Sequence, residues 1–246
     1  MKPLSTRLVF IALLSISATS VTADFVGINI GVSHWSPELS GNFNSNNNAS
    51  IDVESDLGIN DPSQTSLVLI LEHPIPLLPN VKYQNFNLEA SGKKTLTKNL
   101  TFNGNNFLTG DKISSTVDLS HDDIVLYYEI LDNWVNLDLG IDIKRFNGQI
   151  GIDSNNIAVD QTLPLLYISA RFDLPFTGFY LGADVNHLSV GDNSANDSTF
   201  LVGYESSIGL GIEGGMKTFS LDLDDANNVD TTIDYEGLYL NGFFHF

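Results

Sequence analysis

The chain reads as an all-β protein, a ten-stranded antiparallel up-and-down β-barrel that crosses a membrane with strands. Three observations carry that expectation. The last nine residues alternate one face of Leu238, Leu240, Gly242, Phe244 and Phe246 with another of Tyr239, Asn241, Phe243 and His245, which is strand periodicity with one side for lipid and one for a lumen. Short and long connections alternate strictly along the chain, as barrel turns on one side of a membrane and loops on the other would. Finally, no run of 18 or more apolar residues follows the N-terminal segment, so a membrane-spanning helix is excluded.

The elements follow in order. Lys2 and Arg7 precede the apolar run Leu8 to Ala18, and Val21-Thr22-Ala23 supplies small residues at peptidase spacing. Residues 1–23 therefore read as a secretory signal peptide, with a run too short to span a bilayer, and residues 24–246 read as the barrel. Ten strands are expected over Phe25 to Trp35, Thr65 to His73, Asn80 to Ala90, Ser115 to Ile130, Asn133 to Phe146, Leu163 to Asp173, Phe176 to Val190, Ser198 to Glu205, Ile208 to Leu223 and Thr231 to Phe246. The fifth is the cleanest, with Val135, Leu137, Leu139, Ile141 and Ile143 facing opposite to Asn136, Asp138, Gly140, Asp142 and Lys144. In the third, the alternation slips between Tyr83 and Phe86, which predicts a bulge.

Four brief connections, around Pro74 to Pro79, Asp132, Pro175 and Ser206, each follow an acidic residue and read as periplasmic turns. The expected external loops are Ser36 to Gln64, Ser91 to Ser114, Asn147 to Gln161, Gly191 to Asp197 and Asp224 to Asp230, all rich in Asn, Asp, Gly and Ser. An even number of strands brings both termini to the short-turn side. Trp35, Trp134, Tyr128 and Phe179 fall near strand ends, where interface aromatics belong.

Without the two basic residues of the signal segment, 9 basic residues remain against 30 acidic ones, a formal charge of −21. That balance excludes nucleic acid as a partner. The chain has no cysteine, so neither a disulfide framework nor thiolate metal or catalytic chemistry is available.

The segments Leu71-Glu72-His73-Pro74-Ile75-Pro76-Leu77-Leu78-Pro79-Asn80, Asp118-Leu119-Ser120-His121, Leu126-Tyr127-Tyr128-Glu129-Ile130-Leu131-Asp132-Asn133-Trp134 and Gly242-Phe243-Phe244-His245-Phe246 resemble a small, uncharacterised family of Gram-negative outer-membrane β-barrel proteins. The resemblance covers the whole mature chain. It implies an outer-membrane location reached through the periplasm and brings no activity with it. Phe244 and Phe246 resemble the C-terminal signal by which such barrels reach their insertion machinery. The remaining expected partners are outer-membrane lipid and lipopolysaccharide, the latter met by Lys93, Lys94, Lys98 and Lys112 in one external loop.

If the pre-turn acids Glu72, Glu129, Asp173 and Glu205 face inward, the lumen charge cluster comprises Glu129, Asp138, Asp142, Lys144, Arg171, Asp184, Glu213 and Lys217. Mixed charge in a ten-stranded barrel reads as a salt-bridged, side-chain-filled interior. The expected function is accordingly a non-enzymatic envelope protein with a structural or surface-interaction role. The alternative is a narrow, weakly cation-selective channel, since carboxylates outnumber cations.

A third reading rests on His187 and Ser189, which share the lipid side of their strand with Phe179, Leu181, Ala183 and Val185. They resemble the lipid-facing His and Ser of outer-membrane lipid hydrolases, where imidazole activates the hydroxyl for acyl transfer. His121, Asp122 and Asp123 would supply a rim protease with groups, without the opposing acidic pair it needs. The acidic run Asp222 to Asp230 lacks the position-6 glycine of a calcium loop, and no metal site or cofactor is expected.

Overall fold

The computed structural model describes residues 26–45, 49–75, 77–226 and 229–246. The expected signal segment lies outside the described residues. The barrel strands are β1 (Gly27–Ser45), β2 (Gln64–Glu72), β3 (Asn80–Phe86), β4 (His121–Leu131) and β5 (Val135–Phe146). They continue as β6 (Thr162–Asp173), β7 (Phe179–Val190), β8 (Asn193–Glu205), β9 (Leu210–Ala226) and β10 (Val229–His245). Each pairs antiparallel with the next, and β10 closes on β1 over the register Asn29↔His245 to Ser45↔Val229. The ten-stranded ladder has no free edge, so backbone groups at membrane depth are satisfied within it.

At bilayer level the period-2 pattern puts apolar side chains outside. Leu238, Leu240 and Phe244 are exposed on β10, as is Phe246 just past its end, while Tyr239, Asn241 and Phe243 are buried in the lumen. Ile30, Val32, Leu67, Leu69, Leu71, Leu139, Ile141, Leu181, Phe200, Val202 and Ile212 continue the outer apolar belt around the wall. Tyr128, Trp134 and Phe179 are exposed, as their reading as interface aromatics requires.

β1, β9 and β10 run for 19, 17 and 17 residues, longer than the roughly 9–11 a transmembrane strand needs. Along them the polarity inverts. On β1, Ile28, Ile30 and Val32 face out below, whereas Ser36, Glu38, Ser40 and Asn42 face out above and Trp35, Leu39 and Phe43 turn inward. Phe219 and Leu221 on β9, and Ile233 and Tyr235 on β10, do the same. Above the bilayer the wall is therefore built like a water-soluble protein, apolar in and polar out.

The space it encloses is filled by an external module. The strands Glu89–Thr95, Lys112–Asp118, Gly148–Ile152 and Asn155–Val159 form a four-stranded sheet, and Leu100–Phe102 pairs with Asn105–Phe107. Ile51–Asp52 adds to β1. Val53, Leu57, Leu88, Phe102, Val117, Leu119 and Ile152 from these segments join Trp35, Phe43, Phe146 and Phe219 in one buried core.

Several boundaries differ from expectation for this reason. The expected third strand ends at Phe86 without a bulge, because Tyr83 faces out and Gln84 and Phe86 sit in alternation. The segment beyond it leaves the wall at Asn87–Leu88 and enters the external sheet. The fourth strand splits likewise, with Lys112–Asp118 in the module and β4 starting at His121. Gly191 to Asp197 is a two-residue turn followed by strand, since Val190 pairs directly with Asn193. Most of Asp224 to Asp230 is likewise strand, with residues 227–228 outside the described set. Trp35 is fully buried rather than an interface aromatic, because its parity on β1 points it into the lumen.

Candidate functional site: a two-storey lumen

The outer storey begins with a ring of six aromatic side chains lying across the barrel. Trp35, Phe86, His121, Phe146, Phe219 and Tyr235 come from β1, β3, β4, β5, β9 and β10, and each touches the next with centroids 4.8–6.3 Å apart, closing back on Trp35. His121 and Phe219 also meet across the ring at 5.5 Å. All six are buried. Such edge-on and offset contacts add stability beyond the area they bury.

Directly beneath lies a layer of ions. Lys144 Nζ donates to both Asp123 oxygens at 2.8 and 2.7 Å and to Asp197 Oδ2 at 3.1 Å, and lies 3.8 Å from Asp142 Oδ2. Lys217 pairs with the other Asp197 oxygen. His121 Nδ1–H donates to the Leu119 carbonyl at 2.8 Å, leaving Nε2 to accept from Lys144 at 3.1 Å. Both ammoniums also lie under aromatic faces: Lys144 is 5.3 Å from the Phe219 ring and Lys217 is 5.0 Å from that of Phe86. His121, Asp123 and Asp197 have metal-ligand spacing, and each of the three already accepts from a lysine ammonium.

The inner storey is a vestibule of about 460 Å³. Its wall includes Glu72, Lys82, Tyr127, Glu129, Asp138, Arg171, Tyr180, Asp184, Glu205, Glu213 and His245. Lys82 pairs with Asp184 at 2.9 Å, and Arg171 holds Asp173 at 2.8 Å and Glu205 at 3.4 Å. His245 also meets Glu205, at 3.2 Å. The Arg171 guanidinium stacks 3.7 Å from the Tyr180 ring centroid. Tyr127 donates to Glu72 at 2.8 Å, while Tyr180 and Asn241 donate to Glu213 at 2.7 and 2.8 Å. Tyr180 can lie flat because Gly203 opposes it: a Cβ there would come within 2.1 Å of the ring.

The expected charge cluster is thus divided between storeys. Asp142, Lys144 and Lys217 belong to the ion layer, with Lys217 also reaching the vestibule, while Glu129, Asp138, Arg171, Asp184 and Glu213 line the vestibule. Sequence reading missed Lys82, Asp197 and the aromatic ring. The signal for the ring was the polarity inversion on β1, β9 and β10, legible as Trp35-x₃-Leu39-x₃-Phe43 and Phe219-x-Leu221 on an otherwise polar-lined face.

The other candidates separate cleanly. His121 and Asp123 are buried in the ion layer, and Asp122 faces outward, accepting from Tyr83 at 2.8 Å. They do not line an open barrel mouth. His187 and Ser189 are both exposed on the outer wall, and among the described residues no hydrogen bond joins them. Phe244 and Phe246 stack outside the last strand at 5.4 Å. Of the four loop lysines, Lys98 pairs with Asp56 at 2.8 Å and Lys94 donates to the Ser55 carbonyl, so these two brace the module.

No family model and no curated protein matches the chain. Among solved structures, the fold is similar to the outer-membrane protease OmpT from Escherichia coli at 10% identity and TM-score 0.47, covering 93% of this chain and 99% of that one. It is similar also to the outer-membrane protein OprG from Pseudomonas aeruginosa at 10% identity and TM-score 0.31, covering 90% and 95%. A third is the CymD monoaromatic hydrocarbon channel, at 8% identity and TM-score 0.32, covering 89% and 88%. The closed wall, the lipid-matched belt and the short turns gathered at one end make this chain a ten-stranded antiparallel transmembrane β-barrel.

Proposed function

We propose that the barrel is a plugged, non-conducting scaffold whose lumen neither transports nor catalyses, and whose role is structural or surface-interacting through the external module it holds. The observation that supports this reading is the ring of six aromatic side chains with Lys144, Lys217 and three aspartates packed beneath it. A buried, ion-paired diaphragm opposes ion passage, because an ion crossing it would exchange hydration for apolar contacts. Planar-bilayer recording of the refolded protein tests this. Wild type is expected to give no steady current, and the double variant Trp35→Ala/Phe219→Ala is expected to give discrete openings. Steady cation-selective openings from wild type would sink the scaffold reading. The channel reading, favoured by the carboxylate-rich vestibule, would then replace it.

A further inference from the structure

The outer face of β1 carries a second His-x-Ser triplet, His34-Trp35-Ser36, and here the side chains are engaged. Ser36 Oγ lies 3.1 Å from His34 Nε2, and His34 Nδ1 lies 3.3 Å from Thr65 Oγ1 on β2. All three residues are exposed on the outer wall. With Nδ1–H donated to the threonine oxygen, Nε2 is left as the acceptor for the Ser36 hydroxyl, which is the tautomer a general base requires. His187 and Ser189 have the same spacing and the same face without this contact.

The height of the triplet identifies its surroundings. His34 pairs with Leu240 and Ser36 with Leu238, the last apolar steps on the outer face of β10, and the next outward pair is Glu38↔Glu236. On β2, Thr65 follows directly above Leu71, Leu69 and Leu67. The group therefore sits at the external rim of the apolar belt, where acyl chains end and ester linkages begin. Trp35, on the opposite face of the same strand, is locked into the aromatic ring, so the backbone presenting the pair is rigid.

We propose that Ser36 and His34, with Thr65 as positioning residue, form a lipid-facing site that hydrolyses fatty acyl esters at the outer rim of the membrane. This goes beyond the scaffold reading, which concerns the lumen and the module, and does not depend on it. Ser36 Oγ adds to the ester carbonyl carbon as its proton passes to His34 Nε2. The bond from that carbon to the alcohol oxygen then breaks, and the imidazolium returns the proton to the departing alcohol. Water adds to the acyl-Ser36 carbon, giving a proton to His34. Cleavage of the Ser36 Oγ–carbon bond frees the fatty acid, and that proton restores the serine. A neutral threonine stabilises the imidazolium less than a carboxylate does, so turnover is slow compared with an acid-assisted triad.

The test uses the full mature chain, folded in detergent micelles and checked for heat-modifiable migration. A fluorophosphonate probe followed by peptide mass spectrometry reads the nucleophile, and fatty acid release is measured in two arms, phospholipid and lipopolysaccharide. Labelling of Ser36 and release in either arm are expected, and the responding arm identifies the ester source. Ser36→Ala and His34→Ala should each reduce release by about 100-fold or more. Thr65→Val should reduce it about tenfold, with Thr65→Ser restoring it. A folded wild type that takes no label and releases no fatty acid would overturn the proposal, as would label on Ser189 or release indifferent to Ser36→Ala.

Discussion

The two storeys of the lumen solve the same problem in opposite ways. Both carry more carboxylates than cations. In the outer storey Asp123, Asp142 and Asp197 share Lys144 and Lys217, all five side chains buried beneath the aromatic ring. In the inner storey Glu129 and Asp138 line a cavity of about 460 Å³, Glu129 exposed to it and Asp138 half-buried. The contrast teaches that charge in a barrel does not by itself mean a pore. What matters is whether apolar bulk stands beside it, since desolvation makes each dry ion depend on its partner while a wet one does not.

The largest effect should come from Lys144→Ala, which leaves three buried carboxylates with one ammonium. A loss of about 3–5 kcal/mol is expected from the urea midpoint in micelles. A loss under about 1 kcal/mol would mean that the ion layer is hydrated, and the contrast between storeys would break. Phe219→Ala removes the ring member that touches both Phe146 and Tyr235, and should cost about 3 kcal/mol. Gly203→Ala should cost about 1–3 kcal/mol by pushing Tyr180 off its hydrogen bond with Glu213 and its stack with Arg171, readable in near-ultraviolet circular dichroism.

The external module offers a smaller test. Asp52 accepts from the Ser55 and Glu54 amides at 2.6 and 3.1 Å, and the Ser55 amide above all holds its carboxyl below the usual range. A depressed value in the folded state means that this stabilisation is present above the unfolded carboxylate value near ~3.9 and fades as pH falls through the folded one. Asp52→Ala should therefore cost about 1 kcal/mol at neutral pH, with faster amide exchange confined to residues 51–58, and little in strong acid. Asp138→Asn, in the vestibule wall, should stay within about 0.5 kcal/mol. A large loss there would show that the inner storey is as dry as the outer.

Much of the wall was legible because it depends on a local rule. Each residue of the fifth strand, from Val135 to Lys144, declares its face by parity alone, and β10 does so from Leu238 to His245. Strand limits failed where composition misled. Asn- and Asp-rich ends on β8, β9 and β10 read as loops, yet they are strand, because above the bilayer a polar outer face is what water selects. The candidate outer-wall site failed differently. Both His-x-Ser triplets were present in the chain, but only the cross-strand register that sets Thr65 beside His34 distinguishes one from the other.

By itself the sequence determined an all-β barrel of ten strands, its orientation from short turns and long connections, and the face each side chain takes. These follow from period-2 geometry and from the requirement that lipid see apolar groups. Tertiary structure alone decided which charges meet, that six rings close across the lumen, and that an external module seals it. Lys144 finds Asp123 and Asp197 across 21 and 53 residues of chain. Such pairs are set by register, curvature and closure, and no local pattern encodes those.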